Sequence, residues 1–406
     1  MKGADQLTPV EKAFEAVLDS VVPLPVELIS LESALGRVLA TDIETDRDLP
    51  PYNRATMDGI AMKASQATAG MMDFPCEGMA RAGDAVRMLK NPSNCIEIAT
   101  GAVVPLGADA VVRYEDLEKT PNGFQIRIHP VRAGQNIHPM GSDAPKGALA
   151  LKAGVSIGPA EIGVLASVGR SRVPVRKLPK VGVVTSGDEL VPVDQQPEAH
   201  QIRSSNGYAI ATALSGLGIT ASRHHLPDQP EAIRHTLGEL LQTSDALILS
   251  GGVSKGKFDF LPDALADLGV NKAFHRVAQR PGKPFWFGVH PASGCRVFSL
   301  PGNPVSSFLN FQLYFRGWLR ACLGQDQPGL MAELTTEMRN ASDLVHFRTV
   351  NLLWREGKCL ATEVPMNSSG DFLSLARAGG FVRLDPSEHT YPAGSRVPLL
   401  PYNPIV

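Results

Sequence analysis

Between residues 177 and 325, short β-branched runs alternate with amphipathic helical stretches, and that alternation leaves few folds open to the chain. KVGVVTSGDEL reads as a strand ending in a Gly turn, and SNGYAIATALSGLG as a helix stopped by Gly218. ITASRHHL follows as a strand, and PEAIRHTLGELLQT as a helix that begins with proline. DALILSGG is a buried-type strand, with a helix predicted near 260–268. KPFWFGV and CRVFSLPG are further strands, and PVSSFLNFQLYFRGWLRACLG is a long helix. Strands alternating with helices of this length predict an α/β domain, a mostly parallel sheet with helices on both faces. Ligands bind such sheets outside the carboxyl ends of the strands.

Three glycine-rich turns fall at those ends: TSGDEL (185–190), SGGVSKGKFDF (250–260) and SLPGNPVSS (299–307). Glycine lets backbone N–H groups approach a ligand closely, which suits phosphate or another oxyanion. One such turn alone is most simply a tight strand end. Three converging on one sheet edge favour a binding site. The stretch HRVAQRPGKPFWFG places Arg276, Arg280 and Lys283 within eight residues, close in sequence to Lys255 and Lys257. The whole chain has 39 Lys and Arg against 41 Asp and Glu, a formal charge of −2, so this is a local concentration of cations. That concentration is suited to a strongly anionic ligand, with solvated surface charge the plainer alternative. Asp188, Glu189, Asp228 and Asp259 sit in or near the same turns, where a hard cation such as Mg²⁺ would bridge carboxylate and phosphate oxygens. Asp188 is equally suited to cap the segment after it.

The rest of the chain is less regular. Residues 9–22 predict a helix with Pro9 in its first turn, and a second helical stretch is expected near 30–39. From about 50 to 150, runs such as CIEIAT, DAVVRYED and FQIRIHP alternate with Gly, Pro and Asn clusters, predicting a β-rich lobe. ATMDGIA and ATGAVVP lie in it as ordinary-looking turns. Residues 326–406 read as short strands with Pro and Gly turns. The expected division is 1–50 with 145–176 as a helical and linker domain, 51–144 as an inserted β-rich lobe, 177–326 as the α/β domain and 327–406 as a small β domain.

Several classes are disfavoured. The near-neutral balance provides no global basic field for nucleic acid or an acidic membrane surface. No apolar run approaches a membrane span, and the acidic residues near the start do not fit a signal peptide, so a cytoplasmic protein is expected. Five dispersed cysteines without a CxxC pair fit neither a disulfide framework nor a structural zinc site. No GxGxxG follows the first strand of the α/β unit, against dinucleotide binding.

TMDG, ATGAVVP, GQNI, TSGDEL, SGGVSKGKFDF, RPGKPFWFG and SLPGNPVS, in this order, make the chain resemble the molybdopterin molybdenumtransferases over nearly its whole length. That family performs the last step of molybdenum cofactor synthesis and is homologous to the E domain of gephyrin. The resemblance implies that adenylylated molybdopterin and molybdate are consumed, AMP is released and Mg²⁺ is required. It also implies four domains, the last a small β-barrel, and an elongated homodimer with the active site near the interface. A molybdopterin adenylyltransferase is a possible partner.

By matched position, the resemblance gives catalytic roles to Asp58, Thr100, Glu189, Asp259 and Lys283, with Asp58 and Thr100 facing the partner's active site. Glu189, Asp228 and Asp259 are its candidates for Mg²⁺ and the anhydride. Ser250, Gly251, Gly252 and Ser254 would cradle the nucleotide or pterin phosphate. Arg280 and Lys283 match the pair attributed to molybdate, with Arg276 beside them and Pro301 and Pro304 shaping the adjacent turn. Arg348 in HFRTV and Ser369 in NSSG would complete the oxyanion site. The chain departs from the family pattern at Arg276 and Arg280, usually lysine. It departs again in HPMGSD, where His138 replaces an arginine while Asp143 remains, and in RSSN (203–206). Arginine keeps the charge and binds an oxyanion through two N–H groups.

Two rival readings also fit parts of the sequence. A gephyrin-like dimeric scaffold would bind a partner peptide without catalysis, though it would need no cationic crevice. The related adenylyltransferase shares the α/β domain, but lacks the N-terminal lobe and the C-terminal barrel.

Overall fold

The structure is a computed structural model that describes residues 7–252 and 261–402. It divides into two compact units. One comprises Met1–Glu27, Gly36–Val38 and Val175–Val406, the other Leu28–Leu35 and Leu39–Pro174.

The larger unit is built on a six-stranded sheet in the order Ser222–Leu226, Val181–Ser186, Ala246–Ser250, Arg296–Leu300, Trp286–Val289, Asn271–His275. The first four strands pair in parallel, and only Trp286–Val289 runs against the rest. This is the mostly parallel sheet that the alternating pattern predicts. Strand order reverses on either side of Val181–Ser186, which opens a crevice at its carboxyl end.

Side chains of a strand alternate between faces, and here they feed two cores. Val181, Val183, Ala246, Ile248, Phe298 and Leu300 pack with the Asn206–Ser215 helix and the segment after Pro304. Val184, Leu247, Leu249 and Val297 pack with the helices Pro230–Thr243 and Leu261–Asp267. The first core is rich in aromatics. Phe298 lies 5.0 Å from Phe287, 5.3 Å from Phe315 and 5.7 Å from Trp318, ring centre to centre. Each fully buried side chain of this size stabilises the fold by about 1.5–3 kcal/mol. The long helix expected after Pro304 is present but interrupted. Pro304–Asn310 and Arg316–Cys322 are α-helical, and Phe311–Phe315 between them is a wide π turn.

The carboxyl-terminal part of this unit is a closed five-stranded barrel. Val345–Arg355, Lys358–Glu363, Met331–Leu334, Arg396–Pro401 and Gly380–Leu384 pair in turn, and the last returns to the first. Its centre is filled by Leu334, Val350, Ala361, Val382 and Leu384. Closure leaves these five strands no open edge.

The smaller unit has a curled six-stranded sheet, Ala110–Arg113, Gly59–Met62, Cys95–Ile98, Asp73–Ala80, Gly123–Ile126, Leu117–Thr120. Ile60, Met62, Phe74, Val112 and Phe124 are buried on one face, and Ala61, Ile96, Ile98 and Val111 on the other. The helix expected near 30–39 is absent. Leu31–Ser33 makes one 3-10 turn, Gly36 takes φ +76° and Leu35 is exposed, so the apolar residues there have no helical face to bury. The five cysteines are unpaired. Among the described residues no helix is long and apolar enough to cross a membrane.

Candidate functional site

The described parts of the three glycine-rich turns, 185–190, 250–252 and 299–307, lie together at the predicted edge. Thr185, Ser250 and Leu300 are neighbours in register, so the chain leaves three adjacent strands at one level. Around these ends lies a crevice of about 470 Å³ lined by Ser186, Glu189, Asn206, Ser250, Gly251 and Pro304, among others. That is a volume suited to a small molecule. Gly251 has φ +105°, and a Cβ there would lie 2.8 Å from the carbonyl oxygen of Ser186. Only glycine lets these two turns pass so closely. Gly252 follows with φ +66° and a Cβ position blocked by Leu261.

Asn206 ties the turns together. Its amide nitrogen donates to the Gly302 carbonyl at 2.7 Å and to Ser250 Oγ at 3.0 Å. Asn303 Nδ2 donates to Ser369 Oγ at 2.8 Å, and Val305 N–H donates to the Ser369 carbonyl, so Ser369 and Pro304 stand at one corner. Buried Ser186 Oγ and Asn206 Oδ1 have no hydrogen-bond partner among the described residues. Unsatisfied polar atoms beside a crevice are groups that a polar ligand would pair. Ser186, Asn206, Asn303 and Arg203 are not among the site residues expected from sequence. Asn206 and Arg203 carry a signal in the RSSN motif, and Ser186 and Asn303 lie inside TSGDEL and SLPGNPVSS.

On the acidic side, Glu189 lines the crevice and folds back over Gly187. Asp188 Oδ1 accepts the Asp228 N–H at 3.0 Å, so these acidic turns adjoin. Burial raises the Asp228 carboxyl above its usual range, and the Asp188 and Glu189 carboxylates raise it further. Among the described residues no three His, Cys, Asp or Glu side chains form a metal-ligating group. Asp259 and Ser254, both expected at the site, lie outside the described residues, as do Lys255 and Lys257.

Arg276, Arg280, Lys283 and Arg348 do not line this crevice. Arg280 pairs in parallel register with His346. Arg348, two residues on, shares the His346 face. Burial lowers His346 to about 4, and the charges of Arg348 and Arg280 act in the same sense, so a neutral imidazole lies near two guanidinium groups. Arg348 pairs with Glu363 at 3.2 Å. Arg276, Arg280 and Lys283 have no ion-pair partner among the described residues. Pro301 is buried immediately before Gly302.

In the smaller unit, Asp58 Oδ1 accepts the Thr100 N–H at 2.6 Å. Hydrogen bonds from the Thr100 backbone, then its hydroxyl, lower the Asp58 carboxyl. His138 Nε2 stands 2.9 Å from Asp143 Oδ1, and Arg54 3.1 Å from His138 Nδ1.

Residues 8–169 match the MoeA N-terminal region (domain I and II), 182–321 a probable molybdopterin binding domain, and 331–402 the MoeA C-terminal region (domain IV). The chain is 36% identical over 375 residues to the molybdopterin molybdenumtransferase of Synechocystis sp., covering 91% of this chain and 93% of that one. The chain belongs to the molybdopterin molybdenumtransferase family. The Bacillus subtilis molybdopterin molybdenumtransferase is 31% identical, covering 97% of this chain and 93% of that one. A crystal structure of the molybdopterin biosynthesis MoeA protein of Pyrococcus horikoshii superposes with a TM-score of 0.84 at 30% identity. It covers 98% of this chain and 100% of that one. The three family regions span both compact units, so the smaller unit and the barrel are family parts. That extent disfavours the shorter adenylyltransferase, and relatives named as transferases disfavour a non-catalytic scaffold.

Proposed function

We propose that this chain inserts molybdenum from molybdate into adenylylated molybdopterin, releasing AMP and forming molybdenum cofactor. The observation that carries the reading is the conjunction of family membership over nearly the whole chain with a polar crevice where three glycine turns meet. Phosphate oxygens would be received by the Ser250–Gly251 turn, with Asn206 and Ser186 offering further polar atoms. Molybdate would be held by Arg280 and Lys283, with Arg276 beside them and Arg348 and Ser369 completing its surroundings. Pro301 and Pro304 would fix the shape of the neighbouring turn. Asp58 and Thr100 would serve the partner's site in a homodimer of the cytoplasm, where a molybdopterin adenylyltransferase would supply the substrate.

The acidic turn fits Mg²⁺, which typically takes one or two carboxylates together with substrate phosphates. Burial, and after it the Asp188 and Glu189 carboxylates, raise the Asp228 carboxyl, and a divalent ion would relieve that local negative charge. Glu189 and Asp228, with Asp259, would hold it, and when bound it supplies charge neutralisation at the anhydride. The chain needs no nucleophilic side chain for this chemistry. Its residues would hold the two anions, and positioning with electrostatic stabilisation would lower the barrier.

The test is to incubate the purified chain with adenylylated molybdopterin, Mg²⁺ and molybdate, then quantify AMP by chromatography. AMP release that depends on molybdate is expected. Intact adenylylated molybdopterin after prolonged incubation overturns the reading.

A further inference from the structure

The turn that carries Arg280 and Lys283 is gripped from behind by three polar side chains inside an apolar core. Gln279, Asn310 and Tyr314 are each 0% exposed. Tyr314 OH donates to Gln279 Oε1 at 2.6 Å, and Gln279 Nε2 donates to Asn310 Oδ1 at 2.8 Å. The remaining hydrogen bonds reach the turn itself. Gln279 Nε2 also donates to the Pro281 carbonyl at 3.0 Å, and Asn310 Nδ2 donates to the Gly282 carbonyl at 3.1 Å.

The fit is close. Gly282 has φ +88°, and a Cβ there would lie 2.6 Å from Asn310 Oδ1 and 2.7 Å from Gln279 Nε2. The helix widens into its π turn directly after Asn310, and Tyr314 lies within that turn. Wide turns of this kind are uncommon and occur often at functional sites. The Tyr314 ring stacks on Phe285 at 4.6 Å, which fixes the hydroxyl from its other end. A core of Val305, Leu309, Phe311 and Phe315 has no packing need for two amides and a phenol. Buried polar groups satisfied by one another specify a single arrangement.

We propose that Gln279, Asn310 and Tyr314 are positioning residues, whose grip on the Pro281 and Gly282 carbonyls aims Arg280 and Lys283 at a tetrahedral oxyanion. This rests on the reading of that turn as the molybdate site. The three residues touch no substrate. They act by holding fixed the backbone between two cations that lack ion-pair partners among the described residues.

The test compares the molybdate dependence of AMP release in the full-length chain and its variants. Asn310→Ala is expected to raise the molybdate KM by about tenfold or more while kcat changes little, since small misplacements of binding groups have effects of that order. Tyr314→Phe, nearly isosteric, is expected to shift KM in the same direction by a few-fold and guards against an unfolded Asn310 variant. Leu309→Ala is the control: it removes a fully buried side chain from the adjacent position of the same helix, without any polar group. It is expected to lower Tm and leave the molybdate KM as in wild type. If the Asn310 and Tyr314 variants also keep the wild-type KM, the positioning role is overturned. If Lys283→Ala keeps the wild-type molybdate KM, the oxyanion reading of the turn fails first, and the positioning proposal with it.

Discussion

Asn206 Nδ2 lies 2.7 Å from the carbonyl oxygen of Gly302, joining the first turn of one helix to the turn that follows a strand two places away in the sheet. The same nitrogen reaches Ser250 Oγ on the strand between. Asn206→Ala removes both contacts, one part-buried and one exposed, and the loss is about 1–2 kcal/mol by the usual net worth of a hydrogen bond. We expect a lower denaturant midpoint and a raised KM for adenylylated molybdopterin, with the molybdate KM little changed. Equal effects on both KM values would contradict a role confined to the three-turn crevice.

Gly251→Ala tests the close approach of two turns. The new methyl would meet the Ser186 carbonyl and occupy a left-handed backbone position, which alone costs about 1–2 kcal/mol. Turnover is expected to fall more than stability, because the displaced groups form the crevice. A variant with wild-type turnover would show that the Ser186–Gly251 contact is dispensable.

Much of this was legible in advance, for identifiable reasons. Val181–Ser186, Ala246–Ser250 and Arg296–Leu300 are short apolar runs ending in glycine or proline turns, so both their strand character and the convergence of their ends follow from pattern. The 30–39 stretch misled because Leu31, Leu35 and Leu39 keep helical spacing while Gly36 adopts a left-handed conformation, which spacing does not register. The grip on Pro281 and Gly282 was invisible for another reason. Gln279 and Asn310 are 31 residues apart, Gln279 and Tyr314 35, and neither amide stands out in its local sequence. Only the folded chain brings them together.

His346 makes stability pH-dependent. Its folded-state value of about 4 lies below the ordinary 6.5, so between these values the unfolded chain binds the proton and the folded chain does not. Stability therefore rises with pH across this window, and it is lost as pH falls from 6.5 towards 4. His346→Gln should flatten that dependence, losing less Tm than wild type between pH 7 and pH 4. Parallel Tm profiles for the two proteins would rule out His346 as a source of the slope.

The acidic turn predicts a metal requirement that mutation can move. Glu189→Gln and Asp228→Asn each remove a charged oxygen donor, so half-maximal activity should need about tenfold more Mg²⁺ in either variant, a change of about 1.4 kcal/mol. The Asp228 variant should also lose less stability at neutral pH than most buried-charge removals, because its carboxylate is already disfavoured by burial and by its acidic neighbours. An unaltered Mg²⁺ titration in both would move the ion to other residues.

A single-turnover experiment reaches the main conclusion without relying on any variant. The chain is loaded with adenylylated molybdopterin, molybdate and Mg²⁺ are added, and both free AMP and pterin-bound molybdenum are quantified over time. The account predicts equal amounts of the two, rising together. Nucleotide release without molybdenum on the pterin, or at the same rate when molybdate is omitted, would contradict it.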